Sequence, residues 1–468
     1  MSRPTRRLRP DLVVAAALPV VCLAALLVTT PDAGGSGAGE RRAPELTALT
    51  SASVVCPSAL GPGTGAGAFV GVTTLTEADG ELQAGLGDDV RAVEVAPSRV
   101  SSVEAATGPT PVAPGGPVVV SGTDDLAPAL VAGRSSSSPL TATDCRPPSA
   151  EQWFAGLGSG ATHSSVIELV NPNAGRAVGD VVLWSQSGPL DVPELLGVSV
   201  PGGDGVKIDL GALIPRRGEL MAQVTTSRGR LAVDVADSVD ELGTGLAATD
   251  WLAPQAEPSS RNLLLGLTRS AGERTLVLGN PGDDEVRVTV RFVTPDAVFA
   301  PAGLEPVAVA PGTTKPVTLT GLLDEAVAQG ATGLLLDSTG PVVANLRQLA
   351  GGDLSEVSTV SPFGSATAVL VPAGKARLLL ADPAGVGLAT VVALDASGTE
   401  LSREEIELVP DTGATVALPE GTALVRVTPE RTTVRAALVV TSEQGVAVLP
   451  LRELLTDGLV PDVRPALP

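Results

Sequence analysis

His163 is the only histidine in the chain, and Ser164 and Ser165 follow it directly. A histidine beside a serine can act as the general base of a serine nucleophile. The chain has no G-x-S-x-G sequence, and the other copies of the repeat described below have no histidine at this position. We therefore expect His163 to be a surface residue at the start of a strand, and we assign no catalytic residue.

Metal sites and acid–base pairs find little support in the sequence. One histidine excludes multi-histidine metal sites and leaves no plausible zinc set. The paired aspartates Asp88-Asp89, Asp124-Asp125 and Asp283-Asp284 could bind Ca²⁺ between domains, but no ligand spacing recurs. We expect solvated acidic loops, no metal and no bound cofactor. "GLGSGA", residues 156–161, mimics a dinucleotide loop, but a strand follows it and a turn explains it.

Aromatic residues are rare, at 2% of the chain, and there is no tyrosine. Sandwich proteins that bind glycans usually present exposed aromatic platforms. The aromatic candidates here are Trp153-Phe154, Trp184, Trp251, Phe292, Phe299 and Phe363. Tryptophans can equally fill the joints between domains. We expect Trp153 and Trp251 to lie in such joints, and exposure of Trp184 or Trp251 beside carboxylates would favour a binding site.

Cys56 and Cys145 are the only cysteines beyond the N-terminal apolar segment, which contains Cys22. An even pair in an exported chain is most simply a disulfide. We predict a Cys56–Cys145 bridge.

The N-terminus has the pattern of a membrane anchor. Four arginines lie within the first ten residues, and an uncharged apolar run follows from Leu12 to Val28. This pattern predicts a cytoplasmic tail (1–11), a transmembrane helix (12–30) and a flexible linker (31–49), with the remainder extracytoplasmic. A cleaved signal peptide is the alternative, and the protein would then be secreted.

Length, composition and charge limit the number of domains, the make-up of their cores and the class of partner. Its 468 residues are enough for about three domains, and the shortage of aromatics predicts cores of Val, Leu and Ala. The net charge of −21 opposes binding to a phosphate backbone. We therefore expect no nucleic-acid partner.

A sequence repeat gives the architecture. "ELVNPNAGRAVGDVVLW" (168–184) recurs as "VLGNPGDDEVRVTVRF" (277–292), and Asp382-Pro383 replaces Asn-Pro in a third copy. "TATDC" (141–145) and "AATDW" (247–251) precede the first two copies. A Ser-Gly turn and a final strand are predicted to close each copy at 226–235, 337–346 and 441–451.

Within each copy, short apolar runs of period two alternate with Pro- and Gly-containing turns, which is typical of antiparallel strands. The fold class is therefore all-β, as tandem immunoglobulin-like β-sandwich repeats behind the membrane helix. The predicted repeats are 149–255, 256–360 and 361–455, arranged as a rod, with a disulfide-closed β module at 50–148 and a tail at 456–468. The N-terminal module is a possible degenerate fourth copy, and residues 321–330 are expected to form one or two helical turns.

Several segments resemble a known family. "CRPPSAEQWFAGLGSGATHSSVIELVNPNAG", "GPLDVPELLGVSVPGG" and "TSRGRLAVDV" are similar to an actinobacterial family catalogued as a domain of unknown function. The resemblance covers roughly residues 50–455 and implies a membrane-anchored extracytoplasmic protein. It brings no catalytic residues with it.

The sequence repeats contain no recognisable set of catalytic or ligand-binding residues. This favours a non-catalytic scaffold or protein-interaction protein of the cell envelope. The partner would be an envelope protein, with the membrane contacted through the N-terminal helix. A module that binds cell-wall glycan or surface polymer is the alternative. A carboxylate-dependent hydrolase is a distant third possibility.

Overall fold

The computed structural model describes residues 45–60, 68–103, 115–240 and 247–460. These residues form an all-β structure of several antiparallel sheets. The predicted membrane helix at 12–30 and the tail at 1–11 lie outside the described residues. Among the helices of the described ranges, none has the length and apolarity needed to cross a bilayer.

Most strands fall into four groups, which we call modules 1 to 4. Module 1 contains β2 Ser51–Cys56, β3 Ala68–Thr74, β4 Gly80–Leu86, β5 Asp89–Val95, β6 Ser101–Ser102, β7 Val118–Thr123, β8 Leu130–Ser137 and β9 Leu140–Asp144. Module 2 contains β10 Glu151–Leu157, β11 His163–Asn171, β12 Ala177–Ser185, β13 Gly188–Leu190, β14 Val198–Val200, β15 Asp204–Asp209, β16 Leu220–Arg228, β17 Ala232–Asp240 and β18 Ala247–Leu252.

Module 3 contains β19 Ser259–Leu265, β20 Glu273–Asn280, β21 Val286–Val293, β22 Val298–Phe299, β23 Val307–Val309, β24 Thr313–Thr318, β25 Gly333–Ala350 and β26 Asp353–Ser358. Module 4 contains β27 Thr367–Leu370, β28 Lys375–Ala381, β29 Gly387–Leu394, β30 Glu400–Leu408, β31 Gly413–Ala417, β32 Leu424–Glu430, β33 Arg435–Ser442 and β34 Gly445–Pro450. Outside the modules, β1 Glu45–Ala48 pairs with β35 Asp457–Val460.

Helical segments are short. Those that lie wholly within the described ranges are α1 Leu210–Leu213, α2 Thr320–Ala328 and the 3₁₀ turns Asp124–Leu126 and Pro193–Leu195. Helix α2 confirms the helical turns predicted at 321–330, and it packs Leu323 and Ala326 into the core of module 3.

All four modules share one strand order. Each module has eight strand positions, because β13 and β14 share the fourth position of module 2, β22 and β23 share the fourth position of module 3, and β25 fills both the sixth and the seventh position of module 3. In one sheet the first strand pairs with the sixth, and the order continues to the third and fourth, as in β2-β7-β4-β5 and β27-β32-β29-β30. In the other sheet the order is fifth, second, seventh and eighth, as in β6-β3-β8-β9 and β31-β28-β33-β34. The N-terminal module therefore has the topology of the other three. The exact residues at which one module ends and the next begins stay a prediction.

The closing turns are not equivalent in the three sequence copies. The turn at 226–235 joins β16 to β17, the sixth and seventh strands. In module 3 the sixth and seventh strands are one continuous strand, β25, so the turn predicted at 337–346 is wrong. The turn at 441–451 joins β33 to β34, the seventh and eighth strands. The sequence similarity of the three segments therefore reflects a shared strand-and-turn pattern and not a shared position in the module.

The Asn-Pro turns are equivalent in modules 2 and 3. Asn171 is fully buried, and its amide nitrogen donates to the carbonyl oxygens of Gly175, Val200 and Pro201 at 2.7, 3.3 and 3.0 Å. Its side-chain oxygen accepts from the backbone N–H of Asn173 at 3.1 Å. Asn280 makes the same four bonds in module 3.

Valine, leucine and alanine dominate every core, as the composition predicts. Core clusters also extend across the module boundaries: Leu140 of module 1 lies in the core of module 4, and Leu379 of module 4 lies in the core of module 3. Burial of apolar area between modules therefore adds to burial within them.

The modules close a cycle of contacts, because module 4 packs against module 1. Arg452, which follows β34, donates from Nε to Asp144 of β9 at 2.6 Å and from Nη2 to the carbonyl oxygen of Cys145 at 3.0 Å. Val131 of β8 clusters with Ala368 and Leu424 of module 4. The predicted rod, in which only sequence neighbours touch, is therefore wrong.

Candidate functional site

His163 lies at a charged junction between modules 2 and 3. Its Nε2 is 2.9 Å from Oδ2 of Asp237 on the neighbouring strand β17, and its Nδ1 is 3.5 Å from Glu219 at the start of β16. Arg347 of β25 in module 3 binds both carboxylate oxygens of Glu219, at 2.7 and 3.0 Å. The pairing of β11 with β17 places Ser165 opposite Asp237, so His163, two residues away, lies on the same face of the sheet.

The histidine side chain is only 12% exposed. The expectation of a surface strand residue is therefore wrong, because module 3 covers this end of β11. Arg347 Nη1 lies 3.0 Å from Nδ1 and 3.2 Å from Nε2. The ring nitrogens of His163 therefore lie close to Arg347 as well as to the carboxylates of Asp237 and Glu219.

These contacts fix the charges of the junction. Burial alone would lower the pKa of His163, but the charge and hydrogen bond of Asp237, together with Glu219, raise the pKa to about 10. Burial alone would raise the pKa of Glu219, but hydrogen bonds from His163 and Arg347 lower it to about 2. The junction therefore holds a cationic histidine at neutral pH, which cannot serve as a general base.

Ser165 is also used structurally. It is fully buried, its hydroxyl donates to Asp237, and it accepts the backbone N–H of Gly158 at 2.8 Å. Serine and histidine thus bind the same carboxylate, and the serine does not donate to the histidine as a nucleophile would. Gly156 and Leu157 end β10, and residues 158–162 connect β10 to β11, so "GLGSGA" leads into a strand, as the sequence predicts.

The tryptophans lie at or near the same junction. Trp153 of β10 stacks on Trp184 of β12 with ring centroids 5.6 Å apart, and Trp153 clusters with Met221 and with Val343 of module 3. Trp251 of β18 is 6% exposed, as is Trp153, and Trp184 is half-buried. Trp153 therefore fills a joint between modules, and neither Trp153 nor Trp251 offers an exposed platform.

A second buried cluster joins modules 1 and 2. Cys56 and Cys145 form the predicted disulfide, and both are fully buried. Glu168 of β11 accepts from the backbone N–H of Ser58 at 2.7 Å and from its hydroxyl at 2.5 Å. Asp234 of β17 is its direct cross-strand neighbour. Burial, and then the charge of Glu168, raise the pKa of Asp234 to about 7.

A third cluster joins modules 3 and 4 at the position where Asp-Pro replaces Asn-Pro. Asp382 has a backbone φ of 54° and forms ion pairs with Arg261 of module 3 at 2.5 Å and with Arg435 at 3.2 Å. The carboxylate therefore holds two arginines, one of them from the neighbouring module. The asparagines at this position hold carbonyl groups of their own module instead.

The charges in modules 2 and 3 were missed by sequence reasoning, although a signal exists. Glu168 in "SVIELV", Asp234 in "LAVDV" and Arg347 in "VVANLRQL" each interrupt an apolar run. A charge within a buried strand needs a partner. The paired aspartates 88-89, 124-125 and 283-284 lie in turns or at strand ends, and no group of three potential ligands is assembled to hold a metal within the described ranges.

The described residues thus define an all-β protein of repeated two-sheet modules that are joined in part by ionisable residues, most of them buried or partly buried. The chain belongs to the Family of unknown function (DUF5719), whose profile matches residues 100–419. The match runs from module 1 into module 4.

Other comparisons add little. No curated protein matches the chain. Among solved structures, a match is the native conformation of E. coli alpha-2-macroglobulin determined by cryo-electron microscopy, at 11% identity and a TM-score of 0.13. It covers 90% of this chain, which spans 30% of that protein's length. A TM-score this low supports no statement about fold or function.

Proposed function

We propose that this protein is a non-catalytic, extracytoplasmic scaffold of an actinobacterial cell envelope. The observation that carries the proposal is the use of its chemistry-bearing side chains: His163 and Trp153 contact module 3, and Ser165 holds the carboxylate of Asp237 that His163 also binds. Side chains that are committed to such joints stabilise a fixed arrangement of modules. A fixed arrangement is what a scaffold needs in order to present partners at set positions.

Extracytoplasmic location is supported by the disulfide and the N-terminal sequence. Structural disulfides persist in oxidising compartments, and Cys56–Cys145 is one in a buried site. The proposed anchor is the apolar segment 12–30, with residues 1–11 in the cytoplasm; cleavage of the segment would release the same modules.

The modules are proposed to be immunoglobulin-like in the broad sense of two packed antiparallel sheets. Their strand order differs from that of antibody domains, because the seventh strand pairs with the second and not with the sixth. The name therefore describes the architecture and implies no common function.

Envelope polymer binding is the alternative, and two features disfavour it. Trp153 and Trp251 are buried, whereas glycan platforms need an exposed ring. The carboxylate pair Glu168 and Asp234, at 6% and 5% exposure, is closed to a substrate. The hydrolase is disfavoured for the same reason, since its carboxylates must reach a glycosidic bond.

The test is to crosslink tagged full-length protein in its native envelope and to identify the co-purifying species by mass spectrometry. Recovery of a defined membrane or envelope protein supports the scaffold, and recovery of wall polymer alone supports the alternative. Strains carrying His163→Gln or Asp237→Asn distinguish the scaffold proposal from an enzymatic function. If the protein is a scaffold, any growth or envelope defect of these strains should be proportional to the loss of folded protein. Arg287→Gln, at an exposed arginine, is the control variant. A null phenotype with wild-type level and stability overturns the proposal.

A further inference from the structure

Three arginines meet at the loop between β19 and β20, on the side that faces module 4. Arg274 of β20 is 1% exposed, and its Nη2 donates to the carbonyl oxygens of Thr268 and Ser270, at 2.9 Å each. Arg377 of β28 in module 4 donates from Nη2 to the carbonyl oxygen of Leu267 at 2.9 Å. The loop is therefore held from both modules, and it carries the third arginine, Arg269, at an exposed position.

Two of these charges lack a carboxylate partner. Arg274 is paired with Asp324 of helix α2. Neither Arg269 nor Arg377 forms an ion pair with any residue of the described ranges. Burial, and then the charge of Arg269, lower the pKa of Arg377 from its usual value. Two unmatched neighbouring cations are unexpected in a chain with a net charge of −21, because carboxylates to neutralise them are abundant.

The arginines line a cavity of about 560 Å³ between modules 3 and 4. Asp324 is the one carboxylate among the described residues that line it, and Arg274 neutralises it. The remaining lining includes the apolar side chains of Leu267, Val327 and Ala331. The cavity thus combines apolar surface with two unmatched guanidinium groups. Guanidinium groups bind carboxylates and phosphates through paired N–H···O bonds.

We propose that this cavity binds an oxyanion, a carboxylate or a phosphate ester, that carries a small apolar group. Arg269 and Arg377 bind the oxyanion from the two modules, and the apolar lining contacts the substituent. Arg274 is a positioning residue that holds the backbone of the loop. The site is independent of the scaffold role, since it requires only that modules 3 and 4 stay packed together.

The test is isothermal titration calorimetry of the full-length chain in an uncharged detergent. The probes are benzoate, phenyl phosphate and inorganic phosphate. Arg269→Gln and Arg377→Gln remove one donor group each, and Arg287→Gln, an exposed arginine of the same module paired with Glu285, is the matched control. Thermal unfolding of each variant verifies that modules 3 and 4 remain folded.

Saturable binding of benzoate or phenyl phosphate is expected, weakened at least about tenfold by either site variant and unchanged in the control. Inorganic phosphate should bind more weakly than phenyl phosphate, because it makes no apolar contact. The tighter of the two aromatic probes identifies the oxyanion. Absence of saturable binding, or binding that Arg269→Gln and Arg377→Gln leave unchanged, overturns the proposal. Should Arg377→Gln unfold the module, the exposed Arg269→Gln variant decides the question alone.

Discussion

Asn171 and Asn280 occupy the same buried position in modules 2 and 3, and each donates to three backbone carbonyl groups while accepting one backbone N–H. The proline that follows each asparagine has no N–H with which to extend the strand. The asparagine side chain therefore replaces the strand hydrogen bonds that are lost at the turn.

We predict that Asn280→Ala destabilises the protein by about 2 to 4 kcal/mol, because it leaves buried carbonyl groups without a donor. The measurement is chemical denaturation monitored by circular dichroism. Asp283→Ala, at an exposed position of the same turn, is the control and should change the unfolding free energy by less than about 0.5 kcal/mol. Equal effects of the two substitutions would contradict the structural role of the asparagine.

Stability should fall as the pH rises from 6.5 to 10. The pKa of His163 is raised from 6.5 to about 10 in the folded protein, so the folded state holds its proton more tightly than the unfolded state. This contribution is complete below pH 6.5 and is lost as the pH rises through 10, with a total on the order of 4 kcal/mol. The absence of tyrosine removes one class of side chain that would otherwise titrate near pH 10.

The measurement is the unfolding free energy of wild type and of His163→Gln between pH 6.5 and 10. The variant should be less stable than wild type at pH 7, and its stability should depend less on pH in this window. Parallel pH profiles for the two proteins would show that His163 does not titrate as the junction geometry requires.

Titration of Asp234 should change the unfolding free energy at lower pH than titration of His163 does. Its pKa is raised from 3.8 to about 7, so the folded state binds a proton that the unfolded state has lost. Stability therefore falls as the pH rises from about 4 to 7 and levels off above 7. Asp234→Asn should stabilise the protein at pH 8 by about 1 to 3 kcal/mol, whereas Asp191→Asn, at an exposed site of the same module, should have no effect. Destabilisation by Asp234→Asn at pH 8 would mean that the ionised carboxylate is well paired.

Removing the disulfide should destabilise module 1. The bridge joins residues 89 positions apart, and the chain-entropy account gives a loss of about 4 kcal/mol for Cys56→Ala with Cys145→Ala. Thermal unfolding of this double variant is compared with that of Cys22→Ala, a cysteine outside the bridge. Non-reducing peptide mapping of wild type should recover the Cys56 and Cys145 peptides linked, and two alkylatable thiols would refute the bridge.

The sequence by itself determined the features that depend on neighbouring residues. Period-two runs and Asn-Pro turns predicted the strands of modules 2 and 3, since proline and glycine act on the local backbone. Helix α2 was predicted from its own residues in the same way. The disulfide followed from counting, because only two cysteines lie beyond the apolar segment.

Tertiary structure decided which residues meet across the modules. His163 and Arg347 are 184 positions apart, and their contact depends on how module 3 packs on module 2. The contact of Arg452 with Asp144, by which module 4 packs against module 1, likewise joins residues 308 positions apart. Periodicity shows which face of a strand is apolar, but it does not show which module covers that face. The contacts of His163 with Glu219 and Arg347 therefore depend on packing within and between the modules.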